Sequence, residues 1–242
     1  VLDTITTDAR GVATSKPLPL QIVGIRELQA PEHYLLNGKV FWAEIKKHGD
    51  VVKFVVENAN EEVGVDVKKV GNIEAMPGDT IRYDFSDIRN ESNVPLDNFY
   101  WRDILPTDAV TLRSISTGTW NEELKYTIYY KTNLVSEERV LAERLSTGTN
   151  NTIDCSASAL KLKAGEVITE IRFDFGTVQP GFEPVTNPYI TCLVHPDLPH
   201  EYRFKNCTDV GGERGDEWVI DKECWVTVIY AVPKGKLPKT GN

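Results

Sequence analysis

The sequence predicts an all-β protein: two β-sandwich domains followed by a flexible C-terminal tail. Three observations predict it. Apolar and polar residues alternate over short runs such as residues 80–88, the period of a half-buried strand. Many runs are rich in β-branched and aromatic side chains, as in Tyr126-Thr127-Ile128-Tyr129-Tyr130 and Trp225-Val226-Thr227-Val228-Ile229-Tyr230. Gly, Pro, Asn and Asp bound the runs. One segment breaks the pattern. Residues 135–145 open on Ser136-Glu137-Glu138 and carry Leu141-Ala142 inside, which predicts a helix.

Composition narrows the function classes. The 242 residues are 40% hydrophobic and 26% charged, enough apolar side chain for a core. The net charge of -9 argues against a general nucleic-acid binder, which needs a basic face. No run reaches the length of a membrane span, so no membrane partner is expected for this fragment. The chain opens on Val1-Leu2-Asp3 rather than on a leader, and reads as a piece of a longer exported precursor. The patterns of hydrolase nucleophiles, zinc proteases, phosphate loops and dinucleotide sites are not found, so the chain is not read as an enzyme and no cofactor is expected.

Residues 1–62 form the first region. Strands are predicted at residues 22–28, 40–45 and 51–56, the second after Asn37-Gly38 and the third after Gly49-Asp50, both hairpin signals. The order Asp8-Ala9-Arg10-Gly11-Val12-Ala13, Leu18-Pro19 and Glu27-Leu28-Gln29-Ala30-Pro31-Glu32-His33-Tyr34 is similar to the B-type repeat of collagen-binding adhesins. The resemblance implies the C-terminal part of a prealbumin-like sandwich, used as a stalk module in surface proteins and pilins. It also implies an intramolecular isopeptide bond in which a first-strand Lys attacks a last-strand Asn, helped by a Glu. Glu27 matches the family Glu and Asn58 the family Asn, while the first-strand Lys is expected before Val1. Burial drives such chemistry, because desolvation favours the neutral amine and the protonated acid.

Residues 63–233 form the second region. Strands are predicted at 63–71, 80–88, 111–115, 124–131, 167–175, 189–194 and 225–232, with insertions at about 132–165 and 195–222. Met76-Pro77-Gly78-Asp79-Thr80-Ile81-Arg82-Tyr83 followed by Pro95-Leu96-Asp97-Asn98-Phe99-Tyr100-Trp101-Arg102-Asp103-Ile104-Leu105-Pro106 resembles a repeat domain of bacterial surface proteins. That resemblance implies an immunoglobulin-like sandwich with insertions. Lys68 or Lys69, on the first strand, is a candidate for a second isopeptide bond to a late-strand Asn such as Asn206. Cys155, Cys192, Cys207 and Cys224 are candidate disulfide cysteines, and the sequence does not choose among their pairings.

Residues 234–242 are the tail. After the Pro-, Gly- and Lys-rich spacer 232–236 stands Leu237-Pro238-Lys239-Thr240-Gly241. A spacer of this kind is exposed and extended, and Pro238 biases Leu237 away from helix. The pentapeptide resembles the sorting signal of Gram-positive surface proteins. The resemblance implies that sortase cleaves between Thr240 and Gly241 and passes Thr240 to an amine of peptidoglycan or of another pilus subunit. Lys234, in Val232-Pro233-Lys234, is a weaker candidate acceptor lysine.

Four further sets of residues invite functional readings. Cys192, His195, Asp197, His200 and Cys207 are legal zinc ligands, but their spacing fits no ligand turn and no metal is expected. Asp209, Glu213, Asp216 and Glu217 are legal calcium ligands, and Arg214-Gly215-Asp216 is a tripeptide that integrins read. Tyr100, Trp101 and Trp120 are candidates for a sugar platform. The reading that results is a cell-wall-anchored protein of the extracellular surface. It acts as a stalk or adhesin base; the alternatives are a sortase-polymerised pilus subunit or a module that binds a host glycan or matrix protein.

Overall fold

A computed structural model describes residues 1–231, and the chain divides into two compact units, Val1–Glu61 and Glu62–Asn242. The sorting residues Leu237, Pro238, Lys239, Thr240 and Gly241, and Lys234, lie outside the described residues. The described residues are all-β, with no helix. No helix among them is long and apolar enough to cross a membrane.

Unit 1 is thin. β1 (Ile22–Arg26) pairs antiparallel with β2 (Val40–Glu44), running from Ile22 opposite Glu44 to Arg26 opposite Val40. A single bridge joins Tyr34 to Asn60, flanked by backbone bonds from Leu35 to Ala59 and from Glu61 to His33. The apolar side chains are largely exposed; Val23 is buried. The strand expected at 51–56 is not a strand. Its turn does form, with the Asp50 carboxylate accepting the Lys46 and Lys47 N–H groups. The segment beyond it meets β2 through the Phe41 and Phe54 rings rather than through a backbone ladder. A β-branched run becomes a strand only where another strand supplies its hydrogen bonds.

Unit 2 is a β-sandwich. One sheet has five strands in the order β11 (Thr152–Asp154), β7 (Val110–Ser116), β14 (Tyr189–Val194), β5 (Thr80–Asn90) and β3 (Val65–Gly71). The other has seven: β10 (Arg139–Ser146), β9 (Lys125–Thr132), β12 (Ile168–Val178), β6 (Leu96–Ile104), β15 (Arg203–Arg214), β16 (Glu217–Ile229) and β4 (Glu74–Ala75). A small ribbon pairs β8 (Thr119–Trp120) with β13 (Pro184–Thr186). The inner faces interdigitate through aromatic rings. Trp101 lies 4.6 Å from Phe85 and 4.5 Å from Phe173, and Trp120 stacks on Phe182 at 5.0 Å. Such pairs add about 0.5–1.5 kcal/mol each beyond their burial.

One further expectation is corrected, and the insertions prove to carry strands. The helix predicted at 135–145 is mostly the edge strand β10, which follows β9 through two register shifts and carries Arg144 at φ 55°. Its Glu, Leu and Ala composition favours helix, and pairing with β9 overrides that weak preference. The insertions at about 132–165 and 195–222 contain strands of their own. The first contains β10 and β11; the second contains β15 and the first half of β16. The β15–β16 hairpin turns on Gly215-Asp216, with Gly215 at φ 57°, a glycine-led two-residue turn. Gly211 and Gly212 hide this strand from a propensity reading, yet the fold needs them. A Cβ on Gly211 would stand 2.8 Å from the Tyr100 ring.

Candidate functional site

The site is built by strand alternation. On β3, Lys68 faces solvent and pairs with Asp87 at 2.8 Å. The next side chain, Lys69, points inward and is 3% exposed. On β6, Phe99, Trp101 and Asp103 share the inner face, and Asp103 is fully buried. On β15, Phe204, Asn206 and Thr208 point inward, and Asn206 is fully buried. β6 and β15 are neighbours, with Asp103 opposite Thr208. The fold therefore brings Lys69, Asp103 and Asn206 together between the sheets.

Their bonding is incomplete. The Lys69 Nζ donates to Asp103 Oδ2 and lies 4.9 Å from the ring centroids of both Tyr83 and Phe85. The second Asp103 oxygen and both polar atoms of Asn206 are buried without a hydrogen-bond partner, although the Asn206 amide lies beside the Asp103 carboxyl. A buried orphan polar atom costs about 1–3 kcal/mol, and a buried ion pair seldom regains its desolvation cost. Burial pushes the Lys69 ammonium down towards the neutral amine, against the pull of Asp103. Burial pushes Asp103 up towards the protonated acid, against Lys69 and the Asn206 amide. The arrangement thus favours a neutral nucleophile, a proton-carrying acid and an amide in one dry pocket.

Hydroxyl groups and backbone hold the walls. Thr208 accepts the Trp101 indole N–H at 2.7 Å and donates to the Arg102 carbonyl at 2.7 Å. Thr227 donates to the Asn72 carbonyl at 2.8 Å, just past the lysine strand. Asp103 escaped the sequence reading. Its signal was parity: it stands two and four residues from Trp101 and Phe99 on an alternating strand.

Unit 1 holds a partial version of the same grouping. Asn58 Nδ2 donates to Glu27 Oε1 at 2.8 Å, and the Asn37 N–H donates to Glu27 Oε2 at 2.8 Å. The Asn58 Oδ1 is buried without a partner. This bond joins Glu27 and Asn58 across thirty-one residues of sequence.

Residues 1–60 match the family described as SpaA, prealbumin-like fold domain. The SpaA match spans unit 1 and includes Glu27 and Asn58. A search of curated proteins returned no match. Among solved structures the chain is similar to BcpA, the major pilin subunit of Bacillus cereus, at 14% identity and TM-score 0.37, covering 92% of this chain and 59% of that one. A second structure, of a BcpA variant, matches at 13% identity and TM-score 0.31, covering 96% and 61%. AggA, the major subunit of aggregative adherence fimbriae type I from Escherichia coli, matches at 10% identity and TM-score 0.27, covering 72% and 97%. The chain thus spans about three fifths of the BcpA chains.

The other candidate residues are placed elsewhere. Cys207 and Cys224 form a disulfide; Cys155 and Cys192 are free and buried. Burial pushes the Cys155 thiol up to about 12 and raises Cys192 as well. The zinc set is dispersed: Cys192 lies in the core, Cys207 is in the disulfide, and His195 Nε2 meets the Thr111 hydroxyl at 3.1 Å. Among the described residues no group of three His, Cys, Asp or Glu side chains is placed to hold a metal. Asp209 pairs with Arg102 at 2.7 Å, apart from the hairpin tip that carries Arg214-Gly215-Asp216. Trp101 and Trp120 are buried, so they offer no sugar platform.

Proposed function

We propose that this chain is part of a bacterial surface stalk, a wall-anchored protein or a pilus subunit, whose second unit is stiffened by an amide bond between Lys69 and Asn206. The observation that carries this is the buried, under-bonded group of Lys69, Asp103 and Asn206. The neutral Lys69 Nζ attacks the Asn206 side-chain carbonyl carbon. Asp103, as the acid, hydrogen-bonds the carbonyl oxygen, then takes a proton from the lysine nitrogen and gives one to the leaving amide nitrogen. A C–N bond forms, a C–N bond breaks and one ammonia leaves. Asp103 ends as it began. The product replaces two poorly bonded side chains by one neutral amide.

In the same reading Glu27 and Asn58 form the acid and acceptor of a like bond in unit 1, with the lysine on a further strand. Sortase joins Thr240 to peptidoglycan or to another subunit.

Intact mass tests the proposal. The folded chain is expected to weigh one ammonia, about 17 Da, less than its sequence. Peptide mapping is expected to find the branch at Lys69 and Asn206. Lys69→Ala, Asn206→Ala and Asp103→Ala should each restore the full mass. A full mass in the folded wild type overturns the reading.

A further inference from the structure

The proposed amide leaves one strand outside. β3 is the first strand of unit 2 and β16 is its last described strand, but Lys69 would be joined to Asn206 on β15. Through the amide alone, the strand by which the chain leaves unit 2 remains held by hydrogen bonds. Those bonds exist. The Val67 N–H meets Asp221 Oδ2 at 3.0 Å, the Trp225 indole meets the Asn72 carbonyl at 3.1 Å, and the Val228 N–H meets the Ile73 carbonyl at 2.9 Å. Together with the antiparallel ladder to β15 they hold β16 in place, and none of them is covalent.

The disulfide closes this gap. Cys207 follows Asn206 directly and is bonded to Cys224 on β16, its partner across the hairpin. We infer that the amide and the disulfide act in series as one covalent clamp across unit 2. Tension entering at β3 passes through Lys69, Asn206, Cys207 and Cys224 and leaves along β16. This inference rests on the amide proposed above. Residues 70–205 and 208–223 then carry no load and cannot be drawn out. The two links also differ in access. Asn206 faces the core, whereas Cys207 and Cys224, on the opposite face of the strands, are partly exposed. A dithiol reductant cleaves the partly exposed disulfide by exchange and does not cleave an amide. It supplies two electrons and two protons, becomes a disulfide itself, and leaves two cysteine thiols and an intact amide.

Single-molecule stretching of the whole chain between its termini tests the clamp, with intact mass measured on the same preparation. Unit 1 contributes roughly 200–220 Å of contour length to every trace. In the oxidised wild type, no length is expected from residues 70–205 or 208–223 of unit 2. With dithiothreitol, one added step of roughly 50–60 Å should appear as residues 208–223 are drawn out. Cys224→Ser should show that step without reductant. A step of roughly 450–490 Å in the oxidised wild type would mean that residues 70–205 are not bypassed, and the amide itself would be lost. If the mass shows the amide while the oxidised and reduced traces are alike, the amide stands and the serial clamp is overturned.

Discussion

Lys68 and Lys69 are chemically identical neighbours with opposite surroundings. Lys68 is solvated and paired with Asp87; Lys69 is buried against Asp103. Alternation along one strand separates a surface ion pair from a candidate nucleophile. Glu166 shows a different use of a buried carboxyl. It accepts the Lys163 N–H and the Thr132 hydroxyl, both at 2.9 Å, and pairs with Arg139. These bonds, the Lys163 N–H first, hold its carboxyl down to about 2. A depressed folded-state value contributes stability above the ordinary value near 4.5, and that stability is lost as pH falls towards about 2. Glu166→Gln should therefore unfold at a lower temperature than the wild type at pH 7. The gap should shrink through that acid window, as thermal melts across the pH range will read. A gap that stays constant down to pH 2 would show that the carboxylate charge is not what stabilises.

Among the elements, the β8–β13 ribbon depends on one glycine. Gly118 has φ +65°, and a Cβ there would lie 2.1 Å from the Thr186 carbonyl oxygen and 2.9 Å from the Pro188 nitrogen. Both obstacles are backbone, so neither can swing aside. Gly118→Ala should cost at least about 1–3 kcal/mol in urea unfolding. Gly165→Ala, at φ +76° with nothing within 4 Å, should cost less. Equal costs would mean that the close approach to Thr186 is not limiting. The element scale is also where sequence reading failed most. Residues 139–146 and 203–214 lack strong strand composition, and each becomes a strand because a neighbour offers a ladder: β9 for the first, β6 and β16 for the second.

At the scale of the whole molecule, the proposed attachment at Thr240 and the proposed cross-link belong to one mechanical design: a stalk fixed at one end gains from a unit that cannot be pulled apart. A blot of enzymatically released cell-wall material tests the attachment. A ladder of bands that survives boiling in detergent is expected of a sortase-polymerised pilus, and a single wall-released band of a singly anchored protein. Thr240→Ala should move the signal to the medium in either case. Wall retention of that variant would exclude Thr240 as the joining residue.

The sequence by itself determined the all-β class, and it raised as expectations a two-part organisation, roles for Glu27 and Asn58, and a short list of lysines and asparagines. These are local properties: alternation, turn residues and motif order are written along the chain. Only the tertiary structure decided which lysine is buried, that Asp103 stands beside it, which two cysteines pair, and that β16 lies one strand outside the proposed amide. The reason is physical. A buried acid, an orphaned amide and a cross-strand disulfide are relations between strands distant in sequence. Sheet order and register, which no single strand encodes, set those relations.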